Sequence, residues 1–180
     1  GTMIIRPQYL NALRSYRNIP IVKILAGIRR CGKSTILDML KNDLLSSGIN
    51  KEQIIDRRYT SLSIDEGMDA RSMYDDIKSI MTTDDMYYLL LDEVQEIPGW
   101  EKAVNSLSED CKVDIYVTGS NSKLMSGEIS TYLTGRYVLI PVYPLSFEEY
   151  LDFKNADHVE AKRLLPEYIR FGGFPIVARG

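Results

Sequence analysis

Apolar residues in this chain alternate between two rhythms, short continuous runs and longer stretches spaced at three and four. Ile21-Val22-Lys23-Ile24-Leu25-Ala26, Met86-Tyr87-Tyr88-Leu89-Leu90-Leu91, Val113-Asp114-Ile115-Tyr116-Val117 and Tyr137-Val138-Leu139-Ile140-Pro141-Val142 are runs of the first kind. Near-continuous apolar runs of this length fit parallel strands covered on both faces. Between them, Ile36-Leu37, Met39-Leu40 and Leu44-Leu45 recur at helical spacing, and so do Met73, Ile77, Ile80 and Met81. Trp100, Val104 and Leu107 mark another helix, and 7–16 a short one at the amino end. A weaker strand is predicted over Arg57–Leu62. Ser46-Ser47-Gly48 closes a helix, with Gly supplying the left-handed cap. Beyond Val142, Ser146 and Glu149 form a capping box at the start of a helix. The pattern over 156–171 is again helical, with a break near Pro166, and Gly172-Gly173-Phe174-Pro175 reads as a turn. Strands alternating with helices predict an α/β fold: a three-layer α-β-α sandwich with ligand at the carboxyl ends of a parallel sheet.

The first predicted strand runs into Gly27-Ile28-Arg29-Arg30-Cys31-Gly32-Lys33-Ser34-Thr35, and a helix follows. The stretch fits the P-loop pattern G-x-x-x-x-G-K-[ST] at every fixed position. Glycines let the backbone curl so that successive N–H groups cradle phosphate oxygens, and the helix N-terminus favours the anion. Lys33 would reach the β- and γ-phosphates, and the Ser34 hydroxyl would help hold Mg2+. The nucleotide-binding positions are therefore Gly27, Arg30, Cys31, Gly32, Lys33, Ser34 and Thr35. Cys31, near a helix N-terminus, is expected to have a lowered thiol pKa.

A second motif closes the strongest strand, where the apolar run ends in Asp92-Glu93 about sixty residues after the P-loop. This is the Walker-B form: Asp92 would position Mg2+, and Glu93 would polarise the attacking water as its base. The following strand ends at Thr118-Gly119-Ser120-Asn121-Ser122, where Asn121 or Ser120 could sense the γ-phosphate or could cap the next helix. Arg136, just ahead of the last strand, is expected near the rim of the site, where a permanent charge suits phosphate. Its action on its own site, on a neighbouring subunit or in a surface ion pair is left open. A strand–helix pair over 57–81 separates the P-loop helix from the Walker-B strand, which predicts the sheet order 5-1-4-3-2.

Charge and composition add limits. A net charge of −3 gives no global argument for nucleic-acid binding, and no apolar run approaches the roughly 18 residues of a membrane helix. Two cysteines, Cys31 and Cys111, lie outside any C-x-x-C, which together with an ATP-type site suggests a cytoplasmic location. One histidine, His158, and two distant cysteines do not suit zinc. Gly1-Thr2-Met3 reads as a tag remnant, 4–145 as the ATPase core and 146–180 as the start of a helical lid.

Taken with "GIRRCGKST", "LLLDEVQEIPGW", "VTGSNSKL", "LTGRY", "PLSFEEYL" and "YIRFGGFP", the chain resembles the AAA-type predicted ATPases called AAA_14, usually followed by a DUF4143 domain. The resemblance implies that Gly27, Gly32, Lys33, Ser34 and Thr35 are nucleotide ligands and that Asp92 and Glu93 are the Walker-B pair. It also implies that Asn121 is the sensor-like position, that Arg136 is finger-like, and that a C-terminal domain is missing. Three functions follow. The leading one is an Mg2+-dependent ATP-hydrolysing domain whose nucleotide state moves that C-terminal domain, as a homo-oligomer or through a protein or nucleic-acid partner, with no membrane role. The alternative is a regulatory nucleotide-binding module with negligible turnover in a DNA-associated or defence assembly. A small-molecule kinase with Arg163, Arg170 and Arg179 in its lid is the third.

Overall fold

The computed structural model describes residues 7–27, 32–120, 123–124, 129–143, 170–171 and 174–175. Helix α1 (Pro7–Ser15) precedes β1 (Val22–Ala26) and α2 (Lys33–Ser46). Strand β2 (Ile54–Arg58), the short α3 (Ser61–Asp65) and α4 (Ala70–Ile80) follow. Then come β3 (Tyr87–Asp92), α5 (Trp100–Asp110), β4 (Val113–Gly119) and β5 (Tyr137–Pro141). The five strands are parallel in the order β2-β3-β4-β1-β5, which is the predicted 5-1-4-3-2 read from the other edge.

Side-chain alternation along the strands divides the core into two layers. Val22, Ile24, Leu89, Leu91, Ile115, Val117 and Leu139 join Met73 and Ile77 of α4 and Trp100, Val104 and Leu107 of α5 on one face. Leu25, Tyr88, Leu90, Tyr116, Val138 and Ile140 join Tyr9 and Leu13 of α1 and Ile36, Leu40 and Leu44 of α2 on the other. Every residue of β1 and β3 is buried, so both strands need apolar side chains on both faces. The three-layer sandwich follows directly. Trp100, 3% exposed, belongs to this core and is not a platform for a base.

Three stretches depart from the sequence expectation. The second strand lies at 54–58 rather than 57–62, because it is the edge strand and its outer positions, Asp56 and Arg58, are polar and exposed. Leu62, which extended the apparent strand, sits exposed on α3, as does Ile64. The helical pattern through Phe171 does not hold at its end: β6 (Arg170–Phe171) and β7 (Phe174–Pro175) form a hairpin that adds antiparallel to β5. The rest of the expected lid, including Ser146, falls outside the described residues. No helix among the described residues is long and apolar enough to cross a membrane.

One charged pair is buried in the sheet, at the amino ends of β1 and β4. Lys23 Nζ donates to Asp114 Oδ1 at 2.5 Å and to the Ile19 carbonyl at 2.7 Å. Asp114 Oδ2 accepts from Tyr116 Oη and from the Asn18 amide. Desolvation pulls the Lys23 pKa down, and the charge of Asp114 opposes it. Asp114→Asn would strand a lysine with 0% exposure, so a loss of about 3–5 kcal/mol is expected in urea unfolding. A loss under about 1 kcal/mol would show that the pair is not what fastens this end of the sheet.

Candidate active site

Parallel register brings four strand ends to one edge. Ala26 of β1 pairs with Gly119 of β4, Leu91 of β3 with Val117, and Arg58 of β2 with Asp92. β1 lies between β4 and β5, so the chain leaving β1 turns back over the sheet at a topological switch point, where α/β sheets open a crevice. Gly27, buried, continues from β1 and donates its N–H to the Gly119 carbonyl at 3.2 Å. Gly32 has a φ of 92°, a left-handed conformation that glycine adopts at little cost, and it begins α2 without a side-chain cap. The first amides of any helix have no carbonyl acceptor within the helix itself, and this start of α2 is the end that favours an anion.

Lys33 is 4% exposed, and its Nζ donates to the Gly27 carbonyl at 2.6 Å. The same ammonium lies 4.0 Å from Glu93 Oε1, which ties the P-loop lysine to the Walker-B glutamate. Ser34 Oγ donates to Asp92 Oδ2 at 2.6 Å. Asp92 is 5% exposed, and its other oxygen accepts from Thr118 Oγ1 at 2.5 Å. Thr118 Oγ1 in turn accepts from the Glu93 backbone N–H at 2.9 Å. One hydroxyl therefore spans both Walker-B residues. Glu93 has a φ of 58°, a left-handed conformation that L residues adopt at a cost of about 1–2 kcal/mol. The Thr118 bond to its backbone offsets that cost, and the glutamate side chain, 27% exposed, faces the P-loop lysine.

Thr118, Arg58 and Gln95 were not singled out from the sequence. Thr118 stood among the small polar residues at the end of β4, but nothing in its spacing pointed it at Asp92. Arg58 Nε donates to Asp92 Oδ2 at 3.2 Å, because the strand register sets the two residues side by side. Gln95 Nε2 donates to Glu93 Oε2 at 2.5 Å. A cleft of about 450 Å³ runs from Ser34 and Asp92 past Arg58 to Lys41 and Asp56.

The donors present suit a hard cation. Ser34 Oγ and Asp92 Oδ2 already converge on each other, and Mg2+ takes one or two carboxylates, its remaining ligands coming from phosphate and water. Arg30, Cys31 and Asn121 lie outside the described residues. Thr35, half-buried, sits in the first turn of α2.

Arg136 is not where the sequence reading put it. It precedes β5, and its carbonyl accepts from the Val22 amide at the start of β1, on the opposite edge of the sheet from Gly27. Five residues of strand at roughly 3.3 Å each separate the two edges by about 16 Å. A residue just before a parallel strand belongs at the amino edge, away from the chain's own site. Its guanidinium instead meets Glu109 at 3.2 Å and the Tyr132 carbonyl at 2.9 Å on an exposed surface.

Two outcomes are expected. Thr118→Val keeps the shape but leaves the Asp92 oxygen and the Glu93 amide unpaired, costing about 1–3 kcal/mol in chemical unfolding. An unchanged midpoint would show that the bridge does not hold the motif together. Arg136→Ala should leave nucleotide affinity within about two-fold in a titration, since exposed pairs contribute little and the site lies elsewhere. A larger loss would place the arginine at its own chain's site after all.

Comparison with known proteins agrees with this geometry. The model of the AAA_14 family, described as an AAA domain, matches residues 20–151. An uncharacterized protein of Haemophilus influenzae is 39% identical over 178 residues, covering 97% of this chain and 44% of that protein. An uncharacterized protein of Methanocaldococcus jannaschii is 32% identical over 163 residues, covering 86% of this chain and 35% of that protein. The chain thus spans less than half the length of these curated relatives. The solved structure of C. elegans PCH-2 superposes with a TM-score of 0.49 at 19% identity, covering 87% of this chain and 46% of that one, a likeness too distant to argue from. The chain belongs to the AAA_14 family of AAA domains, and its core is a P-loop nucleotide-binding domain.

Proposed function

We propose that this domain hydrolyses ATP with Mg2+. The observation that carries the reading is the placement of the Glu93 carboxylate, 4.0 Å from the buried Lys33 ammonium and one residue from the Asp92–Ser34 pair. A protein that only bound nucleotide would have no use for a carboxylate held in a strained backbone conformation at that point.

In this reading the first-turn amides of α2 and the Lys33 ammonium bind the β- and γ-phosphates. Lys33 would exchange its bond to the Gly27 carbonyl for phosphate oxygen. Ser34 and Asp92 would hold Mg2+, which when bound neutralises charge on the phosphates. Glu93 would accept the proton of the attacking water, oriented by the Thr118 bond to its backbone. Asn121 is assigned the sensor position, and Gly27, Arg30, Cys31, Gly32 and Thr35 line the phosphate loop. Arg136, remote from its own site, is assigned to a neighbouring copy in a homo-oligomer. The core occupies 4–145 and a lid begins at 146, in a cytoplasmic protein whose nucleotide state moves the further segment that the longer relatives contain.

The direct test is phosphate release from Mg-ATP by the wild-type chain and by Glu93→Gln. Turnover is expected to fall by about 10²–10⁴-fold in the variant, the usual contribution of a general base, with nucleotide affinity retained. Tight binding with no turnover in the wild type would replace this reading with that of a regulatory nucleotide-binding module.

A further inference from the structure

The glutamate that the proposed reaction depends on is itself held by a neighbour that the motif does not include. After Glu93 the chain enters a 3-10 turn, Val94–Glu96, which brings the Gln95 side chain back against it. Gln95 Nε2 donates to Glu93 Oε2 at 2.5 Å, while the other carboxylate oxygen, Oε1, faces Lys33 at 4.0 Å. The two oxygens are thereby distinguished: one is occupied, and the other is presented to the P-loop.

The fold makes room for this amide. Gln95 Oε1 is buried and has no hydrogen-bond partner among the described residues. A Cβ placed on Gly119 would come within 2.5 Å of that oxygen and within 2.7 Å of Leu124. Gly119 thus has a packing reason to be glycine, although its backbone needs no positive φ. Gln95 Nε2 also lies 3.4 Å from Glu96 Oε1, and Glu96 pairs with Lys123 at 3.3 Å, beyond the end of β4. A line of polar contacts therefore runs from Glu93 through Gln95 and Glu96 to the segment after β4. An amide with an unpaired buried oxygen weakens the fold, which is what a side chain kept for its donor rather than for stability looks like.

We propose that Gln95 is a positioning residue for Glu93: its amide fixes the carboxylate so that Oε1 meets the attacking water. The proposal rests on the hydrolytic reading of the same site. Without the strap the carboxylate rotates freely, and misplacement of a base by about 1 Å can cost on the order of 10²-fold in rate.

Gln95→Met tests it, because methionine fills a similar volume and removes both the donor and the unpaired oxygen. The expected result is a kcat about 10- to 100-fold below wild type, KM for Mg-ATP within about two-fold, and a nucleotide-free melting temperature unchanged or raised. In a Glu93→Gln background, adding Gln95→Met should change the residual turnover by less than about two-fold, as expected of residues that act as a unit. In the nucleotide-free protein, the Gln95 side-chain amide resonance should move when Glu93 is replaced by Ala. Unchanged turnover in Gln95→Met beside an active wild type would overturn the positioning role and leave the hydrolase reading standing. A kcat loss accompanied by a lowered melting temperature and a raised KM would overturn it as well, showing a structural role only. An inactive wild type that still binds ATP would overturn both.

Discussion

The carboxylate of Asp92, 5% exposed, is the constraint around which the rest of the site is arranged. A buried carboxylate is tolerated only where donors surround it, and here three different elements supply them. Ser34 arrives from the first turn of α2, Thr118 from β4 and Arg58 from β2. Each contact depends on register in a sheet whose strand order is not the chain order. Slip β3 against β4 by one residue, and Thr118 would no longer reach both Asp92 and the Glu93 amide. The fold is therefore specified by the same bonds that shape the site.

Those bonds carry costs that packing alone would not select. Glu93 sits at a φ of 58°, Lys33 is buried, and Gln95 leaves an oxygen unpaired among the described residues. All three lie at the carboxyl edge of the sheet. At the amino edge the buried pair Lys23–Asp114 is bonded on every side, by Ile19, Asn18 and Tyr116. The carboxyl edge thus carries local costs together with its chemistry, as sites at strand ends commonly do.

Much of this was legible in the residue pattern. Buried strands must be apolar on both faces, so β1, β3, β4 and β5 stood out as near-continuous runs, and the P-loop and Asp92-Glu93 fell at strand ends where backbone geometry requires them. The strand order followed from the interposed strand–helix pair. The edge strand was placed three residues late: Ile54 and Ile55 make too short an apolar run ahead of Asp56, Arg57 and Arg58, while Tyr59 and Leu62 extend the apparent pattern beyond its true end. Arg136 was set on the wrong edge, since adjacency to a strand in sequence does not say which end of the sheet a residue reaches. Arg170 and Phe171 pair with β5 although their neighbourhood reads as helix, as tertiary pairing overrides local pattern. Thr118, Arg58 and Gln95 act through contacts made only in three dimensions, so spacing alone could not single them out.

In the proposed reaction, Asp92 and Ser34 are where metal joins nucleotide to protein. The most direct measurement is ATP affinity with Mg2+ and with the metal chelated, for the wild-type chain and for Asp92→Asn. Mg2+ is expected to tighten binding in the wild type and to have no effect on the variant. An equal response to Mg2+ in both would contradict it, and would mean that the carboxylate buried between α2, β2 and β4 serves the fold alone.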